Sequence, residues 1–392
     1  MKPGTLVNHP PAVSVPPDNH PLVAPIHQSV KFEFDSVAET QRSLRGERPG
    51  FFYQRVSNPT TRQLELTLAA LQGREDCLAC ATGVAAINGT LMALTRADDH
   101  VLCFVETYGP TLQFVRRALS RFGVRSTTLS IEDLAGVERV LAATPTRLMI
   151  FESPTNPVNK IADLVALTTL ARRHGALTLL DNTFAGFHQH GQYPIDYYLH
   201  SLTKYASGHG DVMGGAVIAG AEEISRLRST FTLLGGALDP HAAFLVQRGL
   251  KTYMLRYRAQ SASAQRIAEF LAGHDAVTRV HYPGLATHPG HALARAQMSE
   301  FGALLSFDLR AGTAAGRRFA EALQWFAVVP SLGSTESLVL PPEFLGVREL
   351  SAPEAQQSGI GAGTVRLAIG LEDIDDLLAD IDQALKRCEE TP

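Results

Sequence analysis

Leu177-Thr178-Leu179-Leu180-Asp181-Asn182-Thr183 is a short apolar run that ends in a carboxylate. Its length and the polar residues after it read as a strand covered on both faces. A helical stretch over 162–174 precedes it and stops at Gly175. Further back come the strand Leu148-Met149-Ile150-Phe151, a strand near 125–129, a helix over 111–122 and the strand Val101-Leu102-Cys103-Phe104-Val105. A helix starts near Gly83, and another over 61–71 carries Leu64, Leu68 and Leu71 at helical spacing and stops at Gly73. Short apolar strands separated by amphipathic helices predict an α/β fold with a mainly parallel sheet between helical layers. Such sheets bind ligands outside the carboxyl ends of their strands, which is where Asp181 falls.

Beyond Gly249 the order changes. A long helical stretch covers roughly 252–273, and strands follow at Val277-Thr278-Arg279-Val280-His281, Leu304-Leu305-Ser306-Phe307 and Val365-Arg366-Leu367-Ala368-Ile369. Helices near 291–300 and 313–323 lie between them, with a terminal helix over 373–387. This predicts a smaller C-terminal α/β domain over 251–392, after a large domain over 60–250. Residues 1–59 read as an arm lying on a neighbouring subunit, because the prolines at Pro10-Pro11, Pro16-Pro17, Pro21 and Pro25 leave little periodicity to bury.

A chain of 392 residues exceeds a single compact core. Its net charge of −4 with scattered Lys and Arg offers no basic footprint for nucleic acid. No apolar run approaches the ~20 residues that span a bilayer, and the N-terminus lacks a signal peptide's order. Four cysteines suit a reducing compartment, and a cytoplasmic enzyme is expected. Cys77-Leu78-Ala79-Cys80 has redox or zinc-half-site spacing but no second ligand pair, and reads as a buried strand entering a Gly turn. His188-Gln189-His190 reads as a loop with two polar rings, so no metal site is expected.

Lys204 lies in His200-Ser201-Leu202-Thr203-Lys204-Tyr205, ahead of Ser207-Gly208-His209-Gly210-Asp211. A lysine amine for an imine link, hydroxyls at Ser201 and Thr203 for a phosphate, and a carboxylate at Asp181 for a pyridine nitrogen suit pyridoxal 5′-phosphate (PLP). Gly83, in Ala81-Thr82-Gly83-Val84-Ala85-Ala86, stands at a strand-to-helix turn that favours an anion. Tyr53 and Arg55, in Tyr53-Gln54-Arg55-Val56-Ser57-Asn58-Pro59-Thr60, offer a phenol and a guanidinium to a dianion. Tyr108 can stack on the ring, and Asn156 can bond its hydroxyl oxygen. Arg366, inside an apolar strand, suits the planar carboxylate of an amino acid; taken alone it reads equally as an edge-strand residue facing water.

Together, Tyr53-x-Arg55-x-x-Asn58-Pro59-Thr60, Glu152-Ser153-Pro154-Thr155-Asn156-Pro157, Asp181-Asn182-Thr183-Phe184, Ser201-x-Thr203-Lys204-Tyr205, Gly208-His209-x-Asp211, Ser331-Leu332-Gly333-Ser334-Thr335-Glu336-Ser337-Leu338 and Val365-Arg366-Leu367 resemble the cysteine/methionine-metabolism family of PLP enzymes, from about residue 25 to the C-terminus. That resemblance implies fold type I and a homotetramer of two active dimers, in which Tyr53 and Arg55 serve the partner subunit's cofactor. It further implies that the Gly83 and Val84 amides bind phosphate, and that Thr183 belongs to the cofactor site. Tyr53, Asn156, Ser331 and Arg366 would bind substrate, and Lys204 and Tyr108 would be catalytic.

The expected activity makes or breaks a C–S bond in cystathionine or an activated homoserine, as a γ-synthase or γ-lyase does. Alternatives are a β-lyase releasing homocysteine, pyruvate and ammonia, an O-acyl-homoserine sulfhydrylase, a methionine γ-lyase, and a scaffold without turnover, which the intact Lys204, Asp181 and Arg366 oppose. Pro330 stands where bacterial γ-synthases and γ-lyases usually carry a glutamate that reads the distal amino group, whereas plant-type γ-synthases, with Pro-Ser-x-Gly-Gly, resemble this chain more. Pro110 replaces the reactive cysteine of methionine γ-lyases, and Leu332 the tryptophan of one β-lyase group. Specificity rests on a few contacts of ~1–3 kcal/mol each.

Overall fold

The structure, a computed structural model, describes residues 2, 5, 18–346 and 349–389. The proline pairs at 10–11 and 16–17 lie outside them. Among the described residues, the larger sheet contains β1 (Asp76–Cys80), β2 (His100–Phe104), β3 (Arg125–Leu129), β4 (Leu148–Glu152), β5 (Leu177–Asp181), β6 (Tyr197–Ser201) and β7 (Gly215–Ala219) in the order β1-β7-β6-β5-β4-β2-β3. All pairs are parallel except those of β7, which runs against both β1 and β6. Alternate residues of one strand enter different cores. Leu102, Phe104, Met149, Phe151 and Leu180 face one, whereas Val101, Cys103, Leu148, Ile150 and Leu179 face the other. Apolar side chains on both faces explain the unbroken apolar runs.

The smaller sheet is β8 (Val277–His281), β9 (Leu304–Leu309), β10 (Ala327–Val328), β11 (Leu338–Leu340) and β12 (Thr364–Ala368), ordered β10-β11-β12-β9-β8. Its apolar residues Leu305, Phe307, Val365 and Leu367 join the core on one side of the larger sheet. β12 is flanked by β11 and β9, so Arg366 sits on an interior strand and is 6 % exposed. The edge-strand reading of Arg366 is therefore corrected.

Other boundaries also shift. The stretch expected as one helix over 111–122 divides into α-helix Gly109–Gln113, a π turn Phe114–Ala118 and a 3₁₀ turn Leu119–Phe122. Consecutive Arg116 and Arg117 on the π turn pair with Glu354 and Glu349. The expected helix near 291–300 ends at Gln297, and Leu71 is partly exposed. Strands β6 and β7 and the helices Leu134–Ala143, Ala221–Leu234 and Pro240–Leu250 complete the larger unit without having been marked by the pattern. The helix Pro59–Gln72 starts as its residues suggest: Asn58 accepts from Thr60 N, Pro59 opens the first turn, and Gly73 closes it at φ 69°. Cys77 and Cys80 are buried in β1. His188 and His190 lie in turns, bonded to Tyr253, Glu300 and Asn182.

The arm touches the larger unit through His27 N, which donates to Thr60 Oγ1, and through Gln54 Nε2, which donates to Leu238 O. Its helix Val37–Leu44 buries no residue. Leu22, Val30, Val37, Leu44 and Phe52 are exposed. No helix among the described residues is long and apolar enough to cross a membrane.

The loop after Lys204 is held from below. Arg256, buried in helix Tyr253–Ala272, donates to Tyr205 O and Gly249 O. Gly208 has φ 70°, and a Cβ there would stand 1.7 Å from Arg256 Nη1. Both the left-handed backbone and the contact exclude a side chain. Gly208→Ala should cost about 1–3 kcal/mol of stability, read as a lower thermal midpoint; an unchanged midpoint would contradict this account.

Candidate functional site

β4, β5 and β6 are adjacent and parallel, and their carboxyl ends carry Glu152, Asp181 and Ser201. These ends open into a cavity of ≈ 500 Å³ lined also by Gly83, Val84, Tyr108, Asn156, Thr183, Thr203, Lys204, Ser331 and Arg366. Eleven of the thirteen expected site residues thus meet at one place; Tyr53 and Arg55 do not. Arg55 donates to Thr232 O, lies over the Tyr53 ring and lines a separate cleft.

Lys204 leaves the turn that follows β6, and its Nζ donates to Ser331 Oγ at 2.9 Å. Burial and the nearby Arg366 guanidinium lower its pKa, which raises the share of neutral amine. Ser331 O accepts from Arg366 Nη2 at 2.8 Å, and Asn156 Oδ1 accepts from Nη1 at 3.2 Å. Arg366 Nε has no partner among the described residues, and burial pushes the guanidinium down to about 10. No carboxylate of the described residues forms an ion pair with it. A buried cation in that condition calls for an anion, and its fork fits a planar carboxylate.

Asp181 is equally short of a countercharge. Its Oδ1 accepts from Thr183 N at 3.1 Å and from Thr183 Oγ1 at 2.6 Å, and burial raises its pKa. Thr183 Oγ1 in turn accepts from Ser201 N, tying β5 to the start of the lysine turn. A protonated ring nitrogen is a suitable partner for such a carboxylate.

An end suited to an anion lies at helix Gly83–Leu94. Thr82 caps it by accepting from Ala85 N at 2.9 Å, and the amides of Gly83 and Val84 have no intrahelical acceptor. A Cβ on Gly83 would meet Ser201 Cβ at 2.9 Å, so the glycine lets the helix start close against β6. Thr203 Oγ1 accepts from Gly214 N, which places it beside the entrance of β7. Amine, anion cradle and buried carboxylate are therefore present together, and the residues fit PLP.

Residue reasoning passed over Glu152 as a site residue. It is 8 % exposed, stands opposite Asp181 in the register, and its Oε1 accepts the Tyr108 N–H. The signal was the one that marked Asp181, an acid at the end of an apolar strand. His200, Met213, Leu340 and Phe344 also line the cavity, brought there by folding alone.

Over residues 12–386 the chain matches the family described as Cys/Met metabolism PLP-dependent enzyme. It is 43 % identical over 372 residues to the L-methionine γ-lyase of Pseudomonas putida, covering 93 % of this chain and 92 % of that one. Among solved structures it resembles the cystathionine γ-synthase of Xanthomonas oryzae, at 37 % identity, TM-score 0.87 and 93 % coverage of both chains. An O-acetylhomoserine (thiol)-lyase-type structure from Campylobacter jejuni, at 30 % identity, TM-score 0.87 and coverage of 93 % and 95 %, carries a pyridoxyl-lysine phosphate.

Proposed function

The chain belongs to the Cys/Met metabolism PLP-dependent enzymes, and from that premise we propose that it acts at the γ-carbon of an amino acid whose γ-substituent is uncharged. It is a PLP enzyme of sulfur amino-acid metabolism; the finer assignment rests on one observation. The cavity's Asp, Glu, Lys and Arg side chains are Asp181, Glu152, Lys204 and Arg366, all in the cluster of the lysine amine, the carboxylate pair and the guanidinium. The remaining wall includes Pro330, Leu332, Leu340, Phe344 and Met213. A methyl thioether or an acetyl ester fits such a wall, whereas the zwitterionic tail of cystathionine meets no further countercharge among the described residues lining the cavity.

In this reading Arg366, Ser331 and Asn156 hold the α-carboxylate side of the substrate. Gly83, Val84, Ser201 and Thr203 hold the phosphate, and Asp181, braced by Thr183, takes the ring nitrogen. Bound there, PLP supplies the electron sink that α-carbon deprotonation needs. Lys204 moves protons at Cα and Cβ, and Tyr108, 40 % exposed at the cavity mouth, serves the leaving group and the ring face. The arm of residues 1–59 reaches a neighbouring subunit, whose site Tyr53 and Arg55 complete. The larger unit over 60–250 carries the cofactor, and 251–392 closes on the substrate. The exposed apolar residues of the arm support a homotetramer built from such pairs.

Purified holoenzyme should form 2-oxobutyrate from methionine, or γ-replacement product from O-acetylhomoserine and a thiol, with kcat/KM about 10- to 100-fold above that for cystathionine. Pyruvate from cystathionine as the leading product would end the γ-carbon reading. Cystathionine as the best substrate would end the uncharged-substituent reading.

A further inference from the structure

Glu152 ends β4 directly beside Asp181, which ends β5. Both carboxyls are buried and line the same cavity, and no Lys, Arg or His of the described residues forms an ion pair with Glu152. The two acids are bonded differently. Asp181 takes both donors of Thr183, an arrangement that favours the ionised form. Glu152 Oε1 takes the backbone N–H of Tyr108, the residue from which helix Gly109–Gln113 begins without a side-chain cap of its own, and the Glu152 carboxyl also takes the backbone N–H of Asn156. Among the described residues the Tyr108 phenol has no hydrogen-bond partner, and the residue is 40 % exposed.

We propose that Glu152 is a positioning residue: its carboxyl, seated between Asp181 and the Tyr108 amide, fixes where Tyr108 stands in the cofactor site. The acceptor bond carries this role, and the proximity to Asp181 constrains its protonation. Two adjacent buried carboxyls do not both ionise readily. Burial and the neighbouring Asp181 charge push Glu152 well up, and burial also raises Asp181 against the two Thr183 donors. The inference rests on the cofactor site and is independent of which γ-substituent the substrate carries.

Two substitutions separate acceptor from charge. Glu152→Gln keeps an oxygen for the Tyr108 amide and holds no titrating proton; Glu152→Met fills similar volume without an acceptor. For Glu152→Met, equilibrium dialysis of PLP should show weakened binding, the visible band of lysine-linked cofactor should move, and kcat should fall about 10- to 100-fold through misplacement of Tyr108. Glu152→Gln should stay within about threefold of the parent in cofactor affinity and kcat. Because Glu152 acts through Tyr108, the losses in kcat of Glu152→Met and Tyr108→Phe should be far from additive in the double variant. Should Glu152→Met not fold, Glu152→Ala takes its place with the same expectations. Equal losses in Glu152→Gln and Glu152→Met would overturn the acceptor role. Full additivity with Tyr108→Phe, or an unmoved band with unchanged cofactor affinity in Glu152→Met, would overturn the positioning role.

Discussion

Lys204→Ala should still bind PLP but lose the cofactor's covalent attachment to the chain. The free amides at Gly83 and Val84 and the carboxylate of Asp181 are untouched by the change, whereas the one lysine amine that lines the cavity among the described residues is removed. Borohydride reduction followed by mass analysis should therefore find no pyridoxyl adduct. Turnover should fall by about 10²–10⁴ from the lost proton transfers alone. The fold should survive, since the side chain's one bond is to Ser331 Oγ and removing a half-buried cation relieves desolvation. An adduct that persists on another lysine, or turnover near that of the parent, would place the reacting amine elsewhere.

Arg366→Leu is the second large effect, and it should separate substrate binding from cofactor binding. Arg366 reaches Asn156 Oδ1 and Ser331 O, and its Nε is left for an incoming group. A hydrogen bond to a charged partner contributes about 1.5–3 kcal/mol. Losing two to the substrate carboxylate should lower kcat/KM by about 10²-fold or more, mainly through KM. The visible band of the lysine-linked cofactor should remain, because Arg366 lies on the substrate side. Arg366→Lys should recover little of the loss, since an ammonium is a point charge and cannot present the planar fork. A kcat/KM within about threefold of the parent in Arg366→Leu would remove Arg366 from substrate binding.

The legible part of this protein was local and chemical. The alternation around Leu177–Asp181 marked a sheet buried on both faces, because only unbroken apolar runs satisfy two cores at once. Asp181 and Lys204 stood out because an acid closing an apolar strand, and a lysine among hydroxyls and glycines, are costly without a purpose. Less was legible where small or mixed residues form strands. β7 is Gly-Ala-Val-Ile-Ala and β6 contains two tyrosines and a histidine, so neither shows the run of bulky aliphatic residues that marked strands such as β4 and β5. Their places depend on pairing with neighbours distant in the chain.

Identity and order of residues determined which chemistry this chain can carry: an amine, a buried acid, an anion-binding turn and a guanidinium are properties of side chains and their immediate neighbours. Tertiary structure alone decided which of them meet. Arg366 became a buried guanidinium lining the cavity because β11 and β9 enclose its strand, Glu152 came to line it because β4 registers against β5, and Tyr53 and Arg55 fell outside this chain's own cavity. Charge and hydrogen-bonding capacity are written residue by residue, whereas burial and distance come from the packing of segments hundreds of residues apart.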